Sequence, residues 1–268
     1  MSKWTIANQA EVETWAAIRD NGRSSLSRAT TLSLLYLLAA LAVGAYLLSA
    51  VAQICEGAIY FVGWDVEEVQ FTWMETMMWI YAGAAVIALA GWLLVQLSLR
   101  GRLPVLLSVF VAKIPGLGRA IQTIALANFC ESIYRSVVRS QTYGDAFRFA
   151  SQEARFTPLQ NWAAQSALRL DAGQSWEHAL SHPPIKDHPL AAVTALGQGQ
   201  LSREETIGMW HQAASDSHSL VDSRSRRTVR YLFRTGLVAS VLTASFAILA
   251  VNTAIVMTIN GLTFFGWW

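Results

Sequence analysis

Residues 29–55 read ATTLSLLYLLAALAVGAYLLSAVAQIC, a run of the chain without a single charged side chain. Residues 76–99, TMMWIYAGAAVIALAGWLLVQLSL, form a second such run, and residues 235–268 form a third. The hydrocarbon core of a bilayer is about 30 Å thick and a helix rises about 1.5 Å per residue, so about 20 apolar residues suffice to cross it. Each run is long enough. Between the second and third lies a polar stretch of about 130 residues with helical patterning. The expected fold is all-α: three transmembrane helices and one six-helix bundle outside the bilayer.

Composition agrees. Apolar residues make up 53% of the chain and charged residues 14%, against about 25% charged in soluble domains. The formal charge of +2 is too small to argue for a nucleic-acid partner. Met1 is followed by a polar segment holding Glu11, Glu13, Arg19, Asp20, Arg23 and Arg28. That segment lacks the charge and length pattern of a cleaved leader, so the first apolar run is expected in the mature chain.

Charge placement predicts orientation. Arg19, Arg23 and Arg28 precede the first run, and Arg100, Arg102, Lys113 and Arg119 follow the second. Arg224, Arg226, Arg227, Arg230 and Arg234 precede the third and are expected to anchor it against anionic lipid. The loop 56–75 carries Glu56, Asp65, Glu67, Glu68 and Glu75 but no Lys or Arg. Basic flanks stay cytoplasmic. The expected layout is a cytoplasmic segment 1–28, spans 29–55 and 76–99 joined by the far-side loop 56–75, a cytoplasmic domain 100–234, span 235–259, and a far-side tail 260–268. Trp64, Trp73, Trp79, Trp267 and Trp268 suit the far interface. The spans hold no ionisable Asp, Glu, Lys, Arg or His, which argues against ion pathways and intramembrane active sites. Gly44, Gly83 and Gly91 are candidates for close helix packing.

The polar stretch reads as successive helices. One starts near Arg119 with Ile121, Ile124, Ala125, Phe129, Ile133 and Val137 as its stripe, and ends near Ser140. Thr142 with Asp145 predicts a capped second helix, and Thr157-Pro158 starts a third that stops at Ala172-Gly173. Ser175 starts a short fourth, ended by His182-Pro183-Pro184; a fifth runs over 189–196. Ser202 with Glu205 predicts a capping box for a last helix that continues into the third span. Residues 1–30 have the pattern of an amphipathic helix with Trp4, Val12, Trp15 and Ile18 as its apolar residues.

Catalytic patterns are absent. Pro115-Gly116-Leu117-Gly118 lacks the Lys-Ser or Lys-Thr of a phosphate-binding loop. His178 and His182 are spaced for a metal, but Pro183 and Pro184 break the helix they would need. His188, His211 and His218 show no convergence in sequence, and Cys55 and Cys130 are too few for a cluster. No enzymatic activity, cofactor or metal is expected.

Pro115-x-x-Gly118, Leu126-Ala127-x-Phe129, Ile133 and Val137-Val138-Arg139-Ser140, followed by Asp145-Ala146-Phe147-Arg148-Phe149-Ala150, resemble the opening helices of the type II secretion F domain. Gly173-Gln174-Ser175-Trp176-Glu177-His178-Ala179-Leu180 is similar to the family's Gly-x-x-Leu-x-x-Ala-Leu, and Gly197-Gln198-Gly199-Gln200-Leu201 to its later glycine loop. The resemblance covers roughly Ile114 to Met257. It implies a homo-oligomeric platform protein of the bacterial inner membrane, serving type IV pilus, type II secretion or tight-adherence machines. Its implied partners are a hexameric assembly ATPase, pilin or pseudopilin transmembrane segments, and membrane lipids. The family carries no catalytic residues. Gln141 and Gln198 depart from its usual Gly and Glu, and only one copy of the domain is present. Arg119, Arg135, Arg139, Gly173, Gly197 and Gly199 are the expected partner-binding residues, and charge reversal at Arg135 and Arg139 is expected to weaken ATPase binding without unfolding. The rival class is a membrane signalling or adaptor protein with a cytoplasmic helical bundle.

Overall fold

The structure, a computed structural model, describes residues 3–61, 72–101, 104–114, 116–185, 187, 189–190 and 202–265. All regular elements among them are helical. They are α1 (Lys3–Phe61), α2 (Thr72–Leu99), α3 (Val105–Ala112), α4 (Leu117–Val138), α5 (Tyr143–Glu153), α6 (Thr157–Asp171), α7 (Trp176–Ala179) and α8 (Arg203–Phe265). Three of these, α1, α2 and α8, contain stretches long and apolar enough to cross a membrane, with mean hydropathies of 2.2, 2.0 and 1.9.

The chain forms two compact units. One comprises Met1–Arg28 and Leu94–Tyr231, the other Ala29–Leu93 and Leu232–Trp268. The polar amino-terminal segment therefore belongs to the same unit as α3–α7. Helix α1 is longer than the expected first span and takes in Glu56, while α8 runs unbroken through the basic stretch as expected. The predicted fifth helix over 189–196 and the loop of Gly197 and Gly199 lie outside the described residues, apart from 189–190.

Local sequence explains the helix ends in the polar unit. The Thr142 hydroxyl accepts from the Asp145 amide at 3.3 Å and caps α5. At the start of α8 the Glu205 carboxylate accepts from the Ser202 amide at 2.7 Å, and the Glu205 amide donates to the Ser202 hydroxyl at 3.3 Å. This is the reciprocal capping box. The backbone bond from Ser202 comes first in holding the Glu205 carboxyl below the usual range, followed by the one with its hydroxyl. Helix α6 begins one residue earlier than its cap signal suggested: Phe156 is the cap, and Thr157 and Pro158 form the first turn. Its end is a Schellman turn, with Gly173 at φ +75°, Gly173 N–H bonded to Leu170 C=O and Gln174 N–H to Arg169 C=O, each at 3.0 Å.

Helix α3 has no expected counterpart. Its apolar run is too short to show a period. Its end explains Gly118, because a Cβ there would stand 2.1 Å from the Ala112 carbonyl oxygen. The first turn of α4 packs directly on the backbone of α3, and only glycine allows that approach.

The core of the polar unit is aromatic. Phe129 of α4 packs edge-on against Phe147 of α5, with ring centroids 5.5 Å apart. Trp162 of α6 lies 5.8 Å from Phe129, and Trp210 of α8 lies 6.3 Å from Phe147. Phe129, Phe147 and Trp210 are fully buried, so one cluster ties four helices together at about 1.5–3 kcal/mol per buried large apolar side chain.

In the other unit, Leu41, Leu48, Cys55, Met74, Tyr81, Ala247 and Ala254 form a small buried cluster. Large side chains such as Ile54, Trp79, Ile87 and Leu249 stay exposed, as helices facing lipid require. Polar groups are paired: Tyr81 Oη donates to Thr243 C=O at 2.9 Å and Trp92 Nε1 to Thr31 Oγ1 at 3.1 Å. Among the three glycines singled out for packing, Gly44 lies against the Tyr81 ring, while a Cβ on Gly83 or Gly91 would meet nothing among the described residues. Gly236, not singled out, packs tightly on Ser33.

Candidate functional site

The polar unit concentrates charge in its interior. Glu131, on the buried side of α4, is 1% exposed. Three partners from three helices surround it. Arg19 Nη1 of α1 lies 2.6 Å away, Arg135 Nη2 one turn along α4 at 2.9 Å, and His218 Nε2 of α8 at 3.4 Å. Burial alone would raise the Glu131 carboxyl; the His218 contact and the two arginines outweigh it, and it sits below the usual range. His218 Nδ1 lies 2.8 Å from the Ala214 carbonyl, a bond in which the ring must be the donor. Its Nε2 then carries a proton toward Glu131 only as imidazolium.

Trp15 of α1 closes this cluster. It stacks on His218 at 5.3 Å and 13°, and meets Tyr134 edge-on at 5.7 Å and His211 at 5.5 Å. His211 Nε2 reaches Glu11 Oε2 at 2.8 Å. The amphipathic face expected for residues 1–30 thus has its partner in α4 and α8. Cys130 is buried next to this region, its thiol pushed up to about 12 by burial despite a hydrogen bond from Ser217. Among the described residues no group of three or more His, Cys, Asp or Glu could hold a metal.

The residues singled out from sequence lie in different settings. Arg135 is held by Glu131 and, at 3.4 Å, by Glu153. Reversing its charge would place a carboxylate against two carboxylates, so this side chain is committed to the fold. Arg139 is exposed at the far end of α4, about 20 residues and so about 30 Å along the helix from Arg119. Gly173 is the left-handed residue of the α6 turn. Gly197 and Gly199 lie outside the described residues.

Arg119 has different company. With Lys113, Arg224 and Arg227 it lines a surface hollow of about 480 Å³ beside Gly116 and Thr228. Arg224 is committed: it forks onto Asp187 at 2.6 and 3.0 Å and donates to Thr123 Oγ1 at 2.7 Å. Lys113, Arg119 and Arg227 are exposed and carry no ion pair among the described residues. Arg226 pairs with Asp222 at 2.9 Å, and Arg230 and Arg234 are exposed. One partner residue, Arg119, and two anchoring residues, Arg224 and Arg227, from sequence thus converge on a single cationic hollow, something their separation along the chain could not show.

A search of protein-family models, curated proteins and solved structures finds no match to this chain.

Proposed function

We propose that the chain is an inner-membrane platform protein of a type IV pilus or type II secretion-like machine, coupling a cytoplasmic assembly ATPase to pilin polymerisation. The observation that carries this reading is where the family-like motifs lie. Gly118 and Phe129 of α4, Asp145 to Ala150 of α5, and Gly173 to Leu180 at the α6–α7 turn fall in one compact helical unit, in family order. Gly118 in particular makes a backbone contact that demands glycine. The last helix, α8, is a single helix from Arg203 to Phe265, so the polar residues lead into the third apolar run without a break in the helix.

In this reading the work is mechanical. The N-terminus and the polar unit are cytoplasmic, and the loop 56–75 and the tail 260–268 face the periplasm. The apolar helices present a surface to pilin transmembrane segments, and copies of the chain associate as a homo-oligomer. Lys113, Arg119 and Arg227 offer three unspent cations to an acidic face of the ATPase, the charge pattern that steers docking.

The test is detergent co-purification of the tagged full chain with the candidate ATPase and major pilin of the same genome. Stoichiometric recovery is expected, falling at least tenfold for Arg119→Glu/Arg227→Glu. These side chains are exposed, so the variant should keep its helical spectrum. Equal recovery by the variant refutes the hollow as the docking face. A homo-oligomer that captures neither protein refutes the platform reading in favour of a signalling or adaptor role.

A further inference from the structure

A second groove in the polar unit lies elsewhere, with a volume of about 1170 Å³. Arg19, Arg23, Arg100, Arg135 and Arg155 line it, against Asp20 and Glu153 as its acids. The cations are unequally occupied. Arg19 and Arg135 are spent on Glu131 and Glu153. Arg23 has only Asp20, at a loose 3.8 Å. Arg100 and Arg155 are exposed and have no ion pair among the described residues. Burial, then the neighbouring charges of Arg155 and Arg19, pull the Arg23 pKa down to about 10. Like charges are thus held together with too little acid between them, and an anion in the groove would relieve that repulsion.

The lining also says where such an anion would come from. Ser24 and Ser27 of α1 stand just before the uncharged run that starts at residue 29. Gln96, Leu99 and Arg100 stand at the end of the run 76–99. The lining thus includes residues that adjoin the ends of two apolar runs in the sequence, and chain flanking a membrane span lies at the level of lipid headgroups.

We propose that this groove binds the phosphate of an anionic phospholipid headgroup, with Arg23, Arg100 and Arg155 as its ligands. Guanidinium forks match phosphate oxygens in geometry and charge. The site is independent of the platform reading, since it uses none of the residues assigned to the ATPase hollow.

The experiment is a thermal-unfolding titration of the full chain in neutral detergent. The probes are short-chain phosphatidylglycerol, phosphatidylcholine of the same chain length, and inorganic phosphate. Phosphatidylglycerol is expected to raise the midpoint saturably while phosphatidylcholine does not. Arg100→Gln/Arg155→Gln is expected to move that titration at least tenfold to higher lipid without lowering the unliganded midpoint. Arg119→Gln/Arg227→Gln, which removes the same charge from the other hollow, is expected to leave it in place. A titration unchanged in the groove variant, or shifted equally in both variants, overturns the site. Stabilisation by inorganic phosphate matching that by phosphatidylglycerol overturns the lipid as its source.

Discussion

Replacing Glu131 with glutamine removes one charge and almost no volume. The carboxylate it removes is 1% exposed and faces Arg19 at 2.6 Å, Arg135 at 2.9 Å and His218 at 3.4 Å. Arg135 keeps Glu153, but Arg19 has no other acid within ion-pair distance among the described residues. Breaking a buried pair by removing one partner costs about 3–5 kcal/mol, because the other charge is left desolvated. We expect Glu131→Gln to fall at the low end, about 3 kcal/mol, because the amide oxygen still accepts one hydrogen bond. At about 2–4 °C per kcal/mol for a unit of this size, the midpoint should drop by about 6–12 °C. Tryptophan fluorescence of the detergent-solubilised chain is the natural assay, since Trp15 stacks on His218. Arg19→Met should also destabilise, and the double variant should cost less than the sum by about 1–3 kcal/mol. A Glu131→Gln variant within about 0.5 kcal/mol of the parent, with an additive cycle, would refute the reasoning. The same network sets a pH dependence. The unfolded carboxyl ionises near about 4.3 and the folded one below that, so the stabilisation is complete above the unfolded value. It is lost as pH falls through the folded one, and Glu131→Gln should flatten the acid limb of the stability curve.

Gly118→Ala puts a Cβ within 2.1 Å of the Ala112 carbonyl oxygen and should cost about 3 kcal/mol or more; a midpoint unchanged by differential scanning fluorimetry would mean α3 does not pack there. Ser140, at φ +60°, occupies the left-handed position that ends α4. Ser140→Gly should relieve about 1–2 kcal/mol of strain, less about 0.5–1 kcal/mol of added chain entropy and the exposed hydrogen bond from Arg203. A net gain of about 0.5 kcal/mol in urea unfolding is expected, and a loss contradicts the turn assignment. The Cys130 thiol, fully buried with its pKa near 12, should resist maleimide at pH 7.5 until the chain is denatured; labelling at the rate of a free thiol would show that the α4–α8 packing is wrong.

What could be read from the residues is what depends on neighbours in the chain. The apolar runs are legible because crossing a bilayer is a matter of length and absent charge. The boxes at Thr142–Asp145 and Ser202–Glu205 are legible because the cap and its donor lie three residues apart. The Ser140 turn shows the limit of that logic. A glycine is expected one position later, at Gln141, yet the left-handed residue is Ser140 itself, with Gln141 N–H bonded to Ser136 C=O at 3.1 Å. Which residue takes the strained conformation depends on where α4 runs out of packing partners. Arg135 shows a related limit. Nothing in its spacing marks it as paired, but α4 is buried along nearly all of its length, and the half-buried Arg135 takes Glu131 and Glu153 as its partners.

The buried network lies beyond local reading altogether. Arg19 and Glu131 are 112 positions apart, and His218 shows no convergence until α8 is laid beside α1 and α4. One signal was nevertheless present: Glu131 is the only charged residue between Arg119 and Arg135. A lone carboxylate in such a run is either exposed on a narrow polar face or buried with cations brought from elsewhere. Buried charge without partners costs several kcal/mol, so burial obliges a cation from another helix. The unassigned histidines and the arginines before the first apolar run were the available donors. The same argument separates the two surfaces proposed as sites. Arg19 and Arg135 are fixed by the acid the fold must satisfy, whereas Arg23, Arg100, Arg155, Arg119 and Arg227 are cations for which the fold has no comparable acid. Function is best sought in that surplus, because a charge that the fold does not need must be neutralised by water or by a partner.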